Sequence, residues 1–173
     1  MKNRTVRLTT GGLLLAIGVA LPVGFHFWGG QLGRVFLPMH ICVFLGGMLL
    51  GPAYGCGMGL IVPVISFMIS QMPGIPNLFF IMAELFLYGL ISGVAHKYLN
   101  PVLSLIIAQT AGRVVYGFAL FVTGNLLGLP VPAADGVITA FVTGLPGIAI
   151  QLVIIPAIVF ILKKGGFFNG KAS

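Results

Sequence analysis

From Leu8 to Leu162 the chain is a succession of apolar runs of about twenty residues, parted by short segments rich in glycine, proline and asparagine. An α-helix rises about 1.5 Å per residue, so a run of that length crosses roughly 30 Å of hydrocarbon. Composition agrees: 58% of the 173 residues are hydrophobic and 6% are charged, whereas about a quarter of the residues of a soluble domain carry charge. An ordinary soluble globule is thereby excluded. Six spans use about 120 residues and leave about 50 for tails and loops, too few for an extramembrane domain. The expected fold is an all-α membrane protein, a bundle of six transmembrane helices forming one integral membrane domain over residues 1–173.

The breaks place the spans at about 8–28, 38–50, 52–72, 78–98, 101–124 and 136–162. The first follows Lys2, Arg4 and Arg7 and ends in Phe25, Phe27 and Trp28, an aromatic group suited to a headgroup boundary. A basic start with small residues at Gly18-Val19-Ala20 also fits a cleaved leader, but the apolar run continues past that point, and the span is expected to be retained. The second span reaches only about 20 Å, so it must tilt into protein or be helped by the connection Gly29 to Leu37 before it. Gly51-Pro52 ends it, and Met72 to Asn77 is a turn. With an even number of spans, Lys2, Arg4, Arg7, Lys97, Lys163, Lys164 and Lys171 share one side and Arg34 stands on the other. The positive-inside rule makes the first side cytoplasmic, with both termini there. This accounts for the formal charge of +7 without a nucleic-acid partner.

Small residues recur every four positions on the first span: Gly12, Ala16, Ala20 and Gly24. Such a stripe lets another helix approach closely, whether from this chain or from a partner. Gly47 and Gly51, Gly55 and Gly59, and Gly89 and Gly93 are further pairs at that spacing, expected to pack internally.

Ionisable groups inside a bilayer are costly and mark functional sites by default. Glu84 lies about 9 Å below the outer end of its span with Tyr88 one turn on, and Arg113 sits near the middle of the fifth span between Gln109 and Tyr116. Exposing the guanidinium to lipid costs at least about 2.5 to 3.5 kcal/mol, so it must face the bundle. Glu84 and Arg113 can pair to hold two helices in register, contact a ligand, or do both. Thr139, Thr143, Gly147 and Gln151 form a stripe on the sixth span, and Ser66 and Ser70 one on the third. His40 stands at the outer start of the second span, and Asn77 and Asn125 lie at outer helix ends, where capping is the default role. The polar groups thus converge on the outer half, as for a pocket open to the outside.

Cys42 and Cys56 are read as packing residues; no metal site and no cofactor are indicated. Phosphate-loop, zinc-protease and serine-hydrolase motifs are missing, and Glu84 and Asp135 are the only acidic side chains, so no enzyme is indicated.

The fragments Pro38-Met39-His40-Ile41, Gly51-Pro52-Ala53-Tyr54-Gly55, Met72-Pro73, Glu84-Leu85-Phe86-Leu87-Tyr88-Gly89 and Gly112-Arg113-Val114-Val115-Tyr116-Gly117 together span about half of the chain. In order and spacing they resemble the substrate-binding S components of energy-coupling factor (ECF) vitamin transporters, in the branch that includes pantothenate, cobalamin and pyridoxine or pyrimidine-precursor transporters. The resemblance implies a multi-pass protein of the bacterial plasma membrane that binds a water-soluble vitamin from outside. It also implies docking, through Ala16 and Ala20 of the first helix, on a membrane-embedded coupling subunit that works with two cytoplasmic ATPases. The loop between the first two spans would bring Gln31, Arg34 and Phe36 near the ligand. The resulting expectation is a substrate site of Arg34, His40, Asn77, Glu84, Tyr88, Arg113, Tyr116 and Thr143, with Gly12, Ala16, Ala20 and Gly24 as the docking face. A small carrier or channel working without ATPase partners is the alternative.

Overall fold

A computed structural model describes residues 4–27, 36–126 and 134–165. The helices, in chain order, are α1 (Arg4–Phe27), α2 (Pro38–Leu45), α3 (Pro52–Ser70), α4 (Asn77–Ala95), α5 (Pro101–Phe121) and α6 (Ala134–Lys164). Turns of π-helix, Gly46–Leu50 and Val122–Leu126, prolong α2 and α5. Among the described residues there are five helices long and apolar enough to cross a membrane, and Pro38–Leu50 is a shorter apolar segment. These elements follow the expected spans to within a few residues. The fourth ends earlier, at Ala95 rather than Tyr98, because tight turns close over His96 to Leu99 before Asn100 caps the next helix. The Asn100 side chain accepts a 2.8 Å bond from the Leu103 amide, with Pro101 in the first turn of α5, where its missing N–H costs nothing.

Gly51 was expected to pack as a partner of Gly47, and the structure gives it a different task. Its φ of 107° lies in the region that L side chains rarely adopt, and no atom stands within 4 Å of where a Cβ would be. It therefore turns the chain between the π-turn and Pro52, through backbone freedom rather than close packing.

The remaining glycines of those pairs pack as expected. Helices α3 and α4 meet backbone to backbone, with Gly55 on Gly89 and Gly59 on Leu85, while Gly47 and Pro52 lie on Gly93. A Cβ on Gly55 would come within 2.6 Å of the Gly89 carbonyl oxygen. Around this pair, α5 packs on α4, α6 on α5 and α2, and α1 on α2 and α3. Val43, Phe44, Val62, Leu85, Leu105, Ala108, Ile155 and Val159 form the centre and are almost wholly buried. Leu13, Met68, Phe79, Phe118, Val153 and Phe160 point outward, as they should where the surroundings are hydrocarbon rather than water.

The two sides of α1 differ. Leu14, Gly18, Val19 and Pro22 are buried, Gly18 lying against Cys42 and Val62. Gly12, Ala16, Ala20 and Gly24 are all exposed, and nothing stands within 4 Å of a Cβ on Gly12 or Gly24. The small-residue stripe is thus turned away from the other described helices.

Candidate functional site

Helices α4 and α5 run antiparallel across a short turn, so Glu84 and Arg113 come level with each other inside the bundle. Arg113 Nη1 lies 3.3 Å from Glu84 Oε1, and the carboxylate residue is only 2% exposed. Tyr88, one helical turn beyond Glu84, donates its hydroxyl to the same oxygen at 2.5 Å. Its ring rests on Gly112, stacks on Phe44 with centroids 4.8 Å apart, and meets the His40 ring at 5.5 Å. Three elements thereby converge: α2 brings His40 and Phe44, α4 Glu84 and Tyr88, and α5 Arg113. Helix α6 comes close through Gly144, where a Cβ would stand 3.3 Å from Arg113 Nη2 and 3.1 Å from Leu37 Cδ1.

Two polar atoms in this cluster are buried without a hydrogen-bond partner among the described residues: Arg113 Nε and His40 Nδ1. A buried group left unsatisfied costs about 1 to 3 kcal/mol. The site therefore holds one ion pair already made and hydrogen-bonding capacity to spare. An arginine N–H beside an imidazole nitrogen can receive a carboxylate, carbonyl or hydroxyl from a small polar molecule.

The expected site residues divide. His40, Glu84, Tyr88 and Arg113 form one connected cluster. Asn77 and Tyr116 lie nearer the ends of their helices and bond to each other, the tyrosine hydroxyl donating to Asn77 Oδ1 at 3.1 Å. Capping was the expected role of Asn77, but α4 has no side-chain cap, and that side chain instead ties α4 to α5. Thr143 is half-buried; it is the neighbouring Gly144, about 100° further round α6, that faces Arg113. Arg34 and Gln31 lie outside the described residues, as do the side chains of Asn125 and Thr139. Phe36 stacks on Phe25 of α1 at 5.6 Å. The serines of α3 do not reach the cluster: Ser66 donates to the Met72 carbonyl at 3.0 Å, and Ser70 to the Ser66 carbonyl at 2.8 Å, so both fasten the end of α3 and its turn.

A buried amide pair next to the cluster was absent from the expected set. Gln109 Nε2 donates to Gln151 Oε1 at 2.9 Å, joining α5 to α6. Gln151 Nε2 in turn points at the Leu37 carbonyl, 3.4 Å away, just before α2. Both glutamines stand on stripes visible in the sequence, but their pairing needs the facing of α5 and α6, which periodicity alone does not supply. Cys42 and Cys56 are free thiols, buried and half-buried.

Among the described residues the chain is an all-helical bundle with five helices long and apolar enough to cross a membrane and ionisable groups in its interior, where such groups mark a functional site. The family model described as ECF transporter, substrate-specific component, matches residues 6–160, and the chain belongs to that family. It is accordingly a substrate-binding subunit of an ECF importer, a transport component and not an enzyme. Neither a curated protein nor a solved structure matches the chain.

Proposed function

We propose that this chain captures a water-soluble vitamin or vitamin precursor, with pantothenate, whose carboxylate suits Arg113, the first candidate and cobalamin or a pyridoxine or pyrimidine precursor the next. The observation that carries the reading is the buried Glu84–Arg113 pair with Arg113 Nε and His40 Nδ1 left unpartnered beside it. An anionic ligand group satisfies both and shares the arginine with Glu84. Asn77, Tyr116 and Thr143 are the candidate rim of this site, with Arg34 a further candidate ligand residue. The clustering of Arg4, Arg7, Lys97, Lys163 and Lys164 toward one end makes that end cytoplasmic, so the site opens outward across a bacterial plasma membrane.

The exposed stripe Gly12, Ala16, Ala20 and Gly24 is the docking face for the coupling subunit, which two cytoplasmic ATPases drive. Support comes from its exposure: an unfilled small-residue face lets a foreign helix approach closely.

Mass spectrometry of small molecules copurified with the protein, followed by equilibrium binding of the one found, tests the reading. His40→Gln and Arg113→Lys should each weaken that ligand about tenfold or more, the loss of one charge-assisted or buried bond. A ligand without an acidic group rules out pantothenate in favour of the pyridoxine or pyrimidine candidates, and binding indifferent to both changes overturns the site assignment. Ala16→Leu combined with Ala20→Trp should leave binding intact while abolishing uptake with the ATPases. Uptake by the chain alone in liposomes would establish the partner-free carrier instead.

A further inference from the structure

A second polar region lies at the other end of the bundle, well away from Glu84. A cavity of about 220 Å³ opens there between the second turn of α1, the π-turn after α2 and the end of α4. Arg7, His96 and Lys97 line it, over a floor of backbone that includes Gly47, Leu50 and Gly51. Arg7 is held in place, donating to the Leu50 carbonyl at 2.6 Å with its guanidinium 5.0 Å from the centre of the Tyr54 ring. Both ring nitrogens of the half-buried His96 are shielded from solvent and have no hydrogen-bond partner among the described residues. Lys163, in the last turn of α6, adds its charge to the surroundings of His96.

Among the described residues no carboxylate side chain stands near this region. Glu84 is engaged by Arg113, twelve positions and about 18 Å up the helix from His96. Asp135 belongs to the first turn of the thirty-one-residue α6, at the opposite end from Lys163. Cations gathered without a counter-charge, around an imidazole whose nitrogens lack partners, call for an anion from outside the chain. The cavity has many times the room one water needs. Leu8 and Tyr98, next in sequence to Arg7 and Lys97, are exposed apolar side chains close in the chain to the residues that line the cavity. A lipid needs that combination, and basic pockets between helices at this level are known to hold anionic headgroups.

We propose that this cavity seats the phosphodiester of an anionic phospholipid, with Arg7 and Lys97 holding the phosphate oxygens and His96 lining the cavity beside them. The proposal is independent of which vitamin the protein carries and of which leaflet the basic end meets.

Native mass spectrometry of the purified protein, titrated separately with phosphatidylglycerol, phosphatidylcholine and inorganic phosphate, tests it. Wild type should retain phosphatidylglycerol and shed phosphatidylcholine. Lys97→Glu, at an exposed position, should weaken phosphatidylglycerol retention about tenfold while Lys97→Arg preserves it, as expected for a headgroup contact made by charge. His96→Gln together with Lys97→Gln should lower it further, the unfolding temperature in neutral detergent serving as the check that the variant is folded. Equal retention of both lipids, or retention unchanged in Lys97→Glu, overturns the proposal. Inorganic phosphate competing at equal concentration would make the occupant a free anion and overturn the lipid assignment. Failure to prefer phosphatidylglycerol, coupled with lost assembly of Lys97→Glu on the coupling subunit, would assign the cavity to a partner's acidic side chain instead.

Discussion

The two polar regions of this bundle handle charge in opposite ways. In the interior cluster a cation meets its anion: Arg113 lies on Glu84, Tyr88 bonds the same oxygen, and aromatic rings close around them. At the basic end, Arg7 and Lys97 line a cavity with His96 and Lys163 acts on its ring, with no acidic side chain in reach among the described residues. The difference follows from the surroundings. A charge enclosed by hydrocarbon must be compensated within the protein, whereas a charge at the headgroup boundary can rely on water, lipid phosphate or a partner. The interior therefore encodes its own stability, and the end encodes a relation with something outside.

The largest effect that would break this contrast is removal of one interior partner. Arg113→Ala strands Glu84 and should cost about 3 to 5 kcal/mol, while the double change with Glu84→Ala costs clearly less than the sum of the single changes. Chemical unfolding in detergent measures the cycle; additive effects would mean the two charges do not stabilise each other. A smaller effect separates inside from outside on purely steric grounds. Gly89→Ala forces apart the α3–α4 backbone contact and should cost about 1 to 3 kcal/mol, whereas Gly12→Ala, with open space around it, should stay within about 0.5 kcal/mol. Equal costs would show that α1 is packed on both sides.

The smallest effect belongs to the basic end and sharpens its character. Burial first, and Lys163 second, lower the His96 pKa below its ordinary 6.5. The folded state then binds fewer protons than the unfolded chain, so the contribution is fully present above about pH 6.5 and falls away as the pH drops below it. His96→Gln should flatten the stability profile of the lipid-free protein between about pH 7.5 and 5.5. An anionic lipid should flatten it too, by offsetting the charges of Arg7, Lys97 and Lys163 that face the ring. Identical profiles for wild type and variant would remove His96 from the account.

How much of this was legible beforehand depended on how few solutions each feature admits. Span ends were readable because run length, Gly51-Pro52 and Asn100-Pro101 leave the backbone little choice. The Glu84–Arg113 pair was readable because a lone charge in lipid is prohibitive and the chain offers one carboxylate near that depth. Neutral polar groups were not constrained in that way. Asn77 had a cap and Tyr116 to choose between, Ser66 and Ser70 turned to nearby carbonyls, and Gln109 found Gln151 across a helix gap. Small residues posed a similar ambiguity. Gly51 and Gly55 look alike in a four-residue repeat, yet one sits in open space at positive φ and the other touches Gly89. The cavity at the basic end was hidden for a further reason: it is assembled from the margins of α1, α2 and α4, and the apolar stretch between Gly47 and Leu50 has no polar side chain to mark it.

The Gln109–Gln151 bond has a mechanical meaning. It fastens α6 to α5, and through the Leu37 carbonyl to the entrance of α2, by uncharged amides. Neutral hydrogen bonds each contribute only about 1 kcal/mol net, far less than it takes to part a buried ion pair. Helices α3 and α4 are keyed together through their backbones, while α6 meets Arg113 through a glycine and no salt bridge. The polar ties of α6 among the described residues are thus uncharged, while its Ile155 and Val159 anchor it in the apolar centre. A small shift of α6 against α5 would therefore part no ion pair among the described residues and would leave Arg113 on Glu84.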